Sequence, residues 1–117
     1  MNGKGKGMKL TIETLQAYLR HNYSGRAKEQ GLFMKLVEEM GEVAEVLNKR
    51  SGAKADDGQD LKAELGNELA DMMHYIVAIA AINDLDLERV ILEKDQAASV
   101  KYHHDINLMS FMEKTEE

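Results

Sequence analysis

Two stretches of the chain carry carboxylates at helical spacing. EEMGEVAE holds Glu38, Glu39, Glu42 and Glu45, and ELGNELAD holds Glu64, Glu68 and Asp71. Residues three and four apart on a helix are surface neighbours, so Glu39 with Glu42 and Glu68 with Asp71 form the same ExxE/D unit twice. Like charges at that spacing weaken an isolated helix, and neither ladder has the alternating lysines that usually relieve them. Four carboxylates facing one another at about 4 Å repel by up to ~4 kcal/mol per pair at an effective dielectric of 20. A bound cation or a raised pKa removes that repulsion. An all-oxygen donor set without cysteine suits a hard ion, Mg²⁺ or Mn²⁺. Such an ion keeps positions open for water and for substrate phosphates, which is the chemistry of metal-assisted attack on phosphorus. The competing reading is two solvated acidic faces, which are common on helices and for either ladder alone would be preferred. Position argues against it, because Glu68 and Asp71 flank the most apolar segment of the chain instead of lying opposite its stripe.

That segment, Asp60 to Ile82, reads as a central helix capped by Asp60, with Leu61, Leu65, Leu69 and Met72 along one stripe. From Met72 to Ile82 it is apolar nearly all round, which predicts burial on most sides. The run is too short to span a bilayer, which needs about 20 apolar residues. Before it, the spacing predicts a helix from Thr11 to Tyr23, with Thr11 as N-cap and Ile12, Leu15 and Leu19 on one face. Ser24 to Gln30 reads as a connection that is partly helical. A long helix from Lys28 to Arg50 follows, its stripe formed by Leu32, Phe33, Leu36, Val37, Met40, Val43, Ala44 and Leu47, with the acids opposite. Ser51 to Gln59 is a turn-rich loop. Beyond the break at Asn83 to Leu85, Asp86 caps a fourth helix that runs to about Tyr102, with Leu85 and Val90 spaced as a hydrophobic staple. Ile106 to Met112 is open between an irregular end and a short docking helix. No strand-period segment occurs. The expected fold is all-α, an antiparallel bundle of four main helices with a short fifth at the C-terminus as the open point. Residues 1–8 form a flexible tail, 9–112 one helical domain and 113–117 a charged end.

Composition narrows the functional classes. At 117 residues the chain is one domain by length. It has no cysteine, hence no disulfide framework, no thiolate metal site and no thiol nucleophile, which suits a reducing cytoplasm. A net charge of -6 argues against binding duplex nucleic acid or a membrane surface, since both need a basic field. The lysines of the first ten residues precede no apolar run, so no signal peptide is expected. A chain this short leaves apolar helix surface uncovered, which predicts a homo-oligomer.

The unit Glu39, Glu42 followed after 25 residues by Glu68, Asp71, set in LVEEMGEVAE and ELGNELADMMHYI, resembles the MazG-like nucleoside triphosphate pyrophosphohydrolases. These belong to the all-α NTP pyrophosphatase superfamily, with the dimeric dUTPases and the phosphoribosyl-ATP pyrophosphohydrolases. The likeness extends from Leu32 to Tyr102, and one copy of the motif is present where longer MazG proteins have two. It implies hydrolysis of a (deoxy)nucleoside triphosphate to monophosphate and pyrophosphate, with Mg²⁺ (or Mn²⁺) held by Glu39, Glu42, Glu68 and Asp71. Glu38 would be a further ligand or would orient the attacking water, so Glu38 and Glu39 are the candidate catalytic residues. Lys94, Lys101 and Tyr102 resemble the family's late K…KY element and are candidate phosphate contacts, with surface lysines and a half-buried tyrosine as the equal alternative. Ala98 stands where the family often has asparagine. The likeness also implies a homodimer or homotetramer, with the site completed by a neighbouring subunit. Two other readings remain open: a phosphoribosyl-ATP pyrophosphohydrolase-like activity, and a non-catalytic helical oligomer with a structural cation site.

The remaining polar residues carry less. His74 follows Asp71 as in a di-iron bundle, but no second Glu-x-x-His exists, so a hydrogen-bonded interior or interface histidine is expected. His103 and His104 are not a designed metal site. The eight methionines read as core and interface filler. Gly41 adjoins the acidic face and would give metal or substrate room, and Gly66 points to close helix packing. Gln16, Arg20 and His21 are expected to be exposed polar residues of the first helix.

Overall fold

The computed structural model describes residues 8–23, 28–52 and 60–115. Its helices, in chain order, are α1 (Ile12–Asn22), α2 (Glu29–Arg50), α3 (Leu61–Ile82), α4 (Leu87–Lys101) and α5 (Leu108–Thr115), with no strand among the described residues. The fold is all-α as the periodicity requires, and the open C-terminal segment is helical. The tail before Met8, most of the Ser24–Gln30 connection, most of the Ser51–Gln59 loop and the last two residues lie outside the described residues.

Helix boundaries follow from side-chain and backbone caps. The Asp60 carboxylate accepts the Ala63 N–H at 3.1 Å, opening α3, and Asp86 accepts from Arg89 at 3.1 Å, opening α4. At α5 the cap is reciprocal: Asn107 Oδ1 accepts from the Ser110 N–H at 2.9 Å, and the Ser110 hydroxyl accepts from the Asn107 N–H at 3.1 Å. Asp95 adds an acceptor for the Leu108 N–H at 2.6 Å. Both α3 and α4 end on a residue in the left-handed region, Asp84 (φ 54°) and His103 (φ 57°). In each case the next N–H reaches back to a carbonyl of the last turn, Leu85 to Ala80 at 3.1 Å and His104 to Ser99 at 2.9 Å. This closure usually takes glycine. Past the end of α2 a glycine, Gly52, takes the positive φ of 84°.

The Cα arrangement separates two compact units, Thr14–Leu85 and a second one containing α4, α5 and residues up to Glu13. In the first, α2 packs along α3, each 22 residues long. The Asn83 side chain at the end of α3 donates to Glu29 at the start of α2 at 2.7 Å, so the two helices run antiparallel. The core of this unit is Leu19, Leu32, Val46, Val77, Ala78, Ala80, Ala81 and Ile82. The α1 segment is anchored by Gln16, which donates to the Leu85 carbonyl, and by Arg20, paired with Asp84 at 3.4 Å. Gln16 is therefore buried and structural, not an exposed residue of an amphipathic helix; its amide satisfies a carbonyl freed where α3 ends. In the second unit α4 packs on α5, and the Glu13 N–H donates to the Glu88 carboxylate at 3.1 Å.

The apolar stripe of α2 does not act as one surface. Leu32 and Val46 are buried and Leu36 and Val43 half-buried, but Phe33, Val37, Met40 and Leu47 are exposed. On α3 Leu69, Met73 and Ile76 are exposed as well. Each exposed residue follows a seam position by one, about 100° round its helix. Because the helices are antiparallel, that rotation turns both stripes to the same side of the hairpin. Gly66 lies on this exposed side, and a side chain there would meet nothing within 4 Å, so the close packing expected of it is not found. No described helix is long and apolar enough to cross a membrane.

Candidate active site

The other side of the hairpin is acidic. Glu39 and Glu68 sit in the half-buried seam between α2 and α3, Glu39 within the helix face that also buries Leu32 and Val46 instead of opposite it. Asp71 lies one turn on and is exposed. Glu39, Glu68 and Asp71 each offer a carboxylate oxygen, and these oxygens lie within 4.8 Å of one another. The convergence follows from antiparallel packing of two ExxE/D units, because each puts one acid in the seam and the next at its rim.

Close carboxylates change each other's protonation. Glu68 is raised from 4.5 to about 7, first by its hydrogen bond to Glu39, then by partial burial and by the charges of Glu39, Glu42 and Asp71. The cluster thus retains a proton near neutral pH unless a cation takes that place. Glu42 is close enough to act on Glu68 but stands outside the convergent triad. Glu38 is exposed and pairs with Lys35 at 3.7 Å. Gly41 leaves open space on the same helix.

The candidate substrate residues Lys94, Lys101 and Tyr102 lie on or at the end of α4 and are exposed. The Lys101 ammonium sits 5.3 Å from the Tyr102 ring centroid, and Tyr102 stacks on His104 at 6.2 Å. Ala98 is half-buried on the same helix. His103 serves as the left-handed residue that ends α4.

One feature beside the acids has no signal in the sequence. The Tyr23 hydroxyl is 2.8 Å from His74 Nε2, and the Tyr23 and His74 rings meet edge to face at 5.7 Å. His74 in turn contacts Tyr75 at 4.9 Å. The partner expected for His74 is present, yet Tyr23 is 51 residues away and no spacing rule links the two.

The donor set is all carboxylate, with a retained proton marking where positive charge is wanted, and this fits a hard divalent cation. Comparison with known proteins gives the same direction. The model of the MazG nucleotide pyrophosphohydrolase domain matches residues 27–98, which includes α2, α3 and most of α4. Among solved structures, the chain is similar to the crystal structure of iMazG from Vibrio DAT 722, with a TM-score of 0.61 and 28% identity over 80% of this chain and 98% of that one. No curated protein matches the chain. The matched domain spans both acidic helices and their convergent carboxylates, and the chain belongs to the MazG family of nucleotide pyrophosphohydrolase enzymes.

Proposed function

We propose that the protein hydrolyses (deoxy)nucleoside triphosphates to monophosphate and pyrophosphate with Mg²⁺, Mn²⁺ being the alternative ion. The observation that carries this reading is the meeting of Glu39, Glu68 and Asp71 within 4.8 Å. These three, with Glu42 beside them, would hold the ion. Bound there, it would supply positive charge for the phosphates and lower the pKa of the attacking water. The hydrogen bond to Glu39 and the charges of Glu39, Glu42 and Asp71 favour a proton on Glu68, and a cation bound at the triad would displace it. Glu38, exposed and paired with Lys35 at 3.7 Å, would be a further ligand or would orient the attacking water. Lys94, Lys101 and Tyr102 are the proposed phosphate contacts. A chain without cysteine that consumes nucleotides suits the cytoplasm.

The exposed stripe of Phe33, Val37, Met40, Leu69, Met73 and Ile76 supports a homodimer or homotetramer formed through the side of the hairpin away from the acids. Apolar surface of this extent on a small helical unit marks an interaction site. The test of the activity is a panel of standard and damaged NTPs and dNTPs with Mg²⁺, read for pyrophosphate and orthophosphate separately. Pyrophosphate release that collapses in Glu68→Gln, with the fold retained by circular dichroism, is the expected result. Orthophosphate from every substrate rejects the cleavage position, and no turnover of any substrate rejects the reading.

A further inference from the structure

Along α4, Lys94, Ala98 and Lys101 are spaced i, i+4 and i+7. Asp95, Ser99 and Tyr102 repeat that spacing one residue on, about 100° round the helix. This second face is the one to which the chain returns. Past the left-handed His103, the His104 N–H donates to the Ser99 carbonyl at 2.9 Å. Further on, the Leu108 N–H donates to the Asp95 carboxylate at 2.6 Å. The turn from Tyr102 to Leu108 is thus pinned to α4 at both ends, and Asp95 is half-buried and Ser99 buried. The exposed part of the turn carries Tyr102 and His104, their rings 6.2 Å apart and inclined by 28°. The Lys101 ammonium lies 5.3 Å from the Tyr102 ring centroid.

We infer that Asp95 is a positioning residue for phosphate binding: by tying the start of α5 to α4 it fixes the turn that backs Tyr102, and through that ring it orders Lys101. The inference rests on the proposed reading of Lys101 and Tyr102 as phosphate contacts. A long exposed lysine gives up rotamer freedom when it pairs with a phosphate. Holding it over a ring beforehand lowers that cost, and the ring is itself held by His104. His104 is fixed by its bond to Ser99 on one side and by the Asp95 tie on the other. The reciprocal cap of Asn107 and Ser110 shapes α5 from within, whereas the Asp95 bond crosses to α4. An ionised carboxylate suits the task, because it accepts more strongly than a neutral group and complements the positive end of a helix.

The test measures inorganic tripolyphosphate binding to the full chain by isothermal titration calorimetry with Mg²⁺ present. Asp95→Ala is expected to weaken binding by roughly 3- to 10-fold, the cost of ordering a long side chain anew. Asp95→Asn keeps an acceptor at the same place and should restore at least half of the wild-type affinity. In turnover, Asp95→Ala should raise KM by a similar factor with kcat unchanged. By NMR, the ring-current shift that Tyr102 imposes on the His104 ring should move in Asp95→Ala toward its value in Tyr102→Leu. His104→Ala removes the stack while leaving the backbone bonds of the turn, and should also weaken binding at least threefold. A loss under threefold in Asp95→Ala overturns the inference, even with a lowered melting temperature, since that is what a merely structural role predicts. So does an Asn variant no better than Ala, or, should Asp95→Ala not fold, unaltered binding in His104→Ala. Wild-type affinity in Lys101→Met, or a wild type that binds no tripolyphosphate, rejects the phosphate contacts and the inference with them. The expected binding pattern without pyrophosphate release would reject the hydrolytic reading and leave the role of Asp95 standing.

Discussion

Cation binding at the carboxylate triad should be strongly proton-linked. With the Glu68 carboxyl raised from 4.5 to about 7, the free site keeps a proton that a bound divalent ion must displace. A group with that pKa is deprotonated to about 0.1 at pH 6, 0.5 at pH 7 and 0.9 at pH 8. Apparent Mg²⁺ or Mn²⁺ affinity should therefore rise roughly tenfold from pH 6 to pH 8 and level off above it, with about 0.9, 0.5 and 0.1 protons released at the three pH values. Calorimetry in buffers of different ionisation enthalpy measures both quantities. Stability carries the opposite sign. The folded pKa lies above the unfolded value, so the contribution of Glu68 to the stability of the metal-free protein is fully present below about 4.5 and is lost as pH rises through about 7. Added cation should raise the melting temperature most above pH 7. Glu68→Gln should abolish the pH slope of binding and of metal-free melting together. Affinity that is flat between pH 6 and 8, or a slope that survives in Glu68→Gln, would refute the reasoning.

Other perturbations test the scaffold. Asp60→Ala removes the side-chain cap of α3 and should lower stability by about 1 kcal/mol in urea unfolding, without altering cation affinity. His103→Gly relieves a left-handed conformation at the end of α4 and should raise stability by about 0.5–1 kcal/mol in the same assay. Asp84→Gly should gain less, because it also removes the pairing with Arg20. Met40→Glu and Met73→Glu, at positions 51% and 43% exposed in one chain, should leave helical content intact and reduce the mass seen by light scattering to that of the monomer.

The helices were legible because most announce themselves locally. Asp60 and Asp86 stand one residue before their helices and cap them, as their residue type predicts. The last helix was legible only in part. Its apolar residues allowed two conformations, and the reciprocal cap of Asn107 and Ser110, with Asp95 beneath it, decides between them. The triad could be anticipated from two ExxE/D units on consecutive helices, because antiparallel packing brings such units together. Which acid sits in the seam was not readable, since a broad apolar arc on α2 allows several rotations and Glu39 lies within the one that α3 covers. The burial of Gln16 and the Tyr23–His74 bond were equally hidden, because both join residues more than 50 apart. Periodicity speaks of one helix at a time, and such pairings belong to the space between helices.

The hairpin has a sticky back and a charged front, and this sets the geometry of any assembly. Two copies joined back to back by a twofold axis would carry their fronts outward on opposite flanks, each open to bulk water. Such a pair could grow without occluding its own chemistry. It also means that a neighbour joined across the back reaches the opposite front only with a segment that bends around the rim. Shared construction of the pocket therefore demands an element at the edge of the hairpin, not a residue of the glued surface itself.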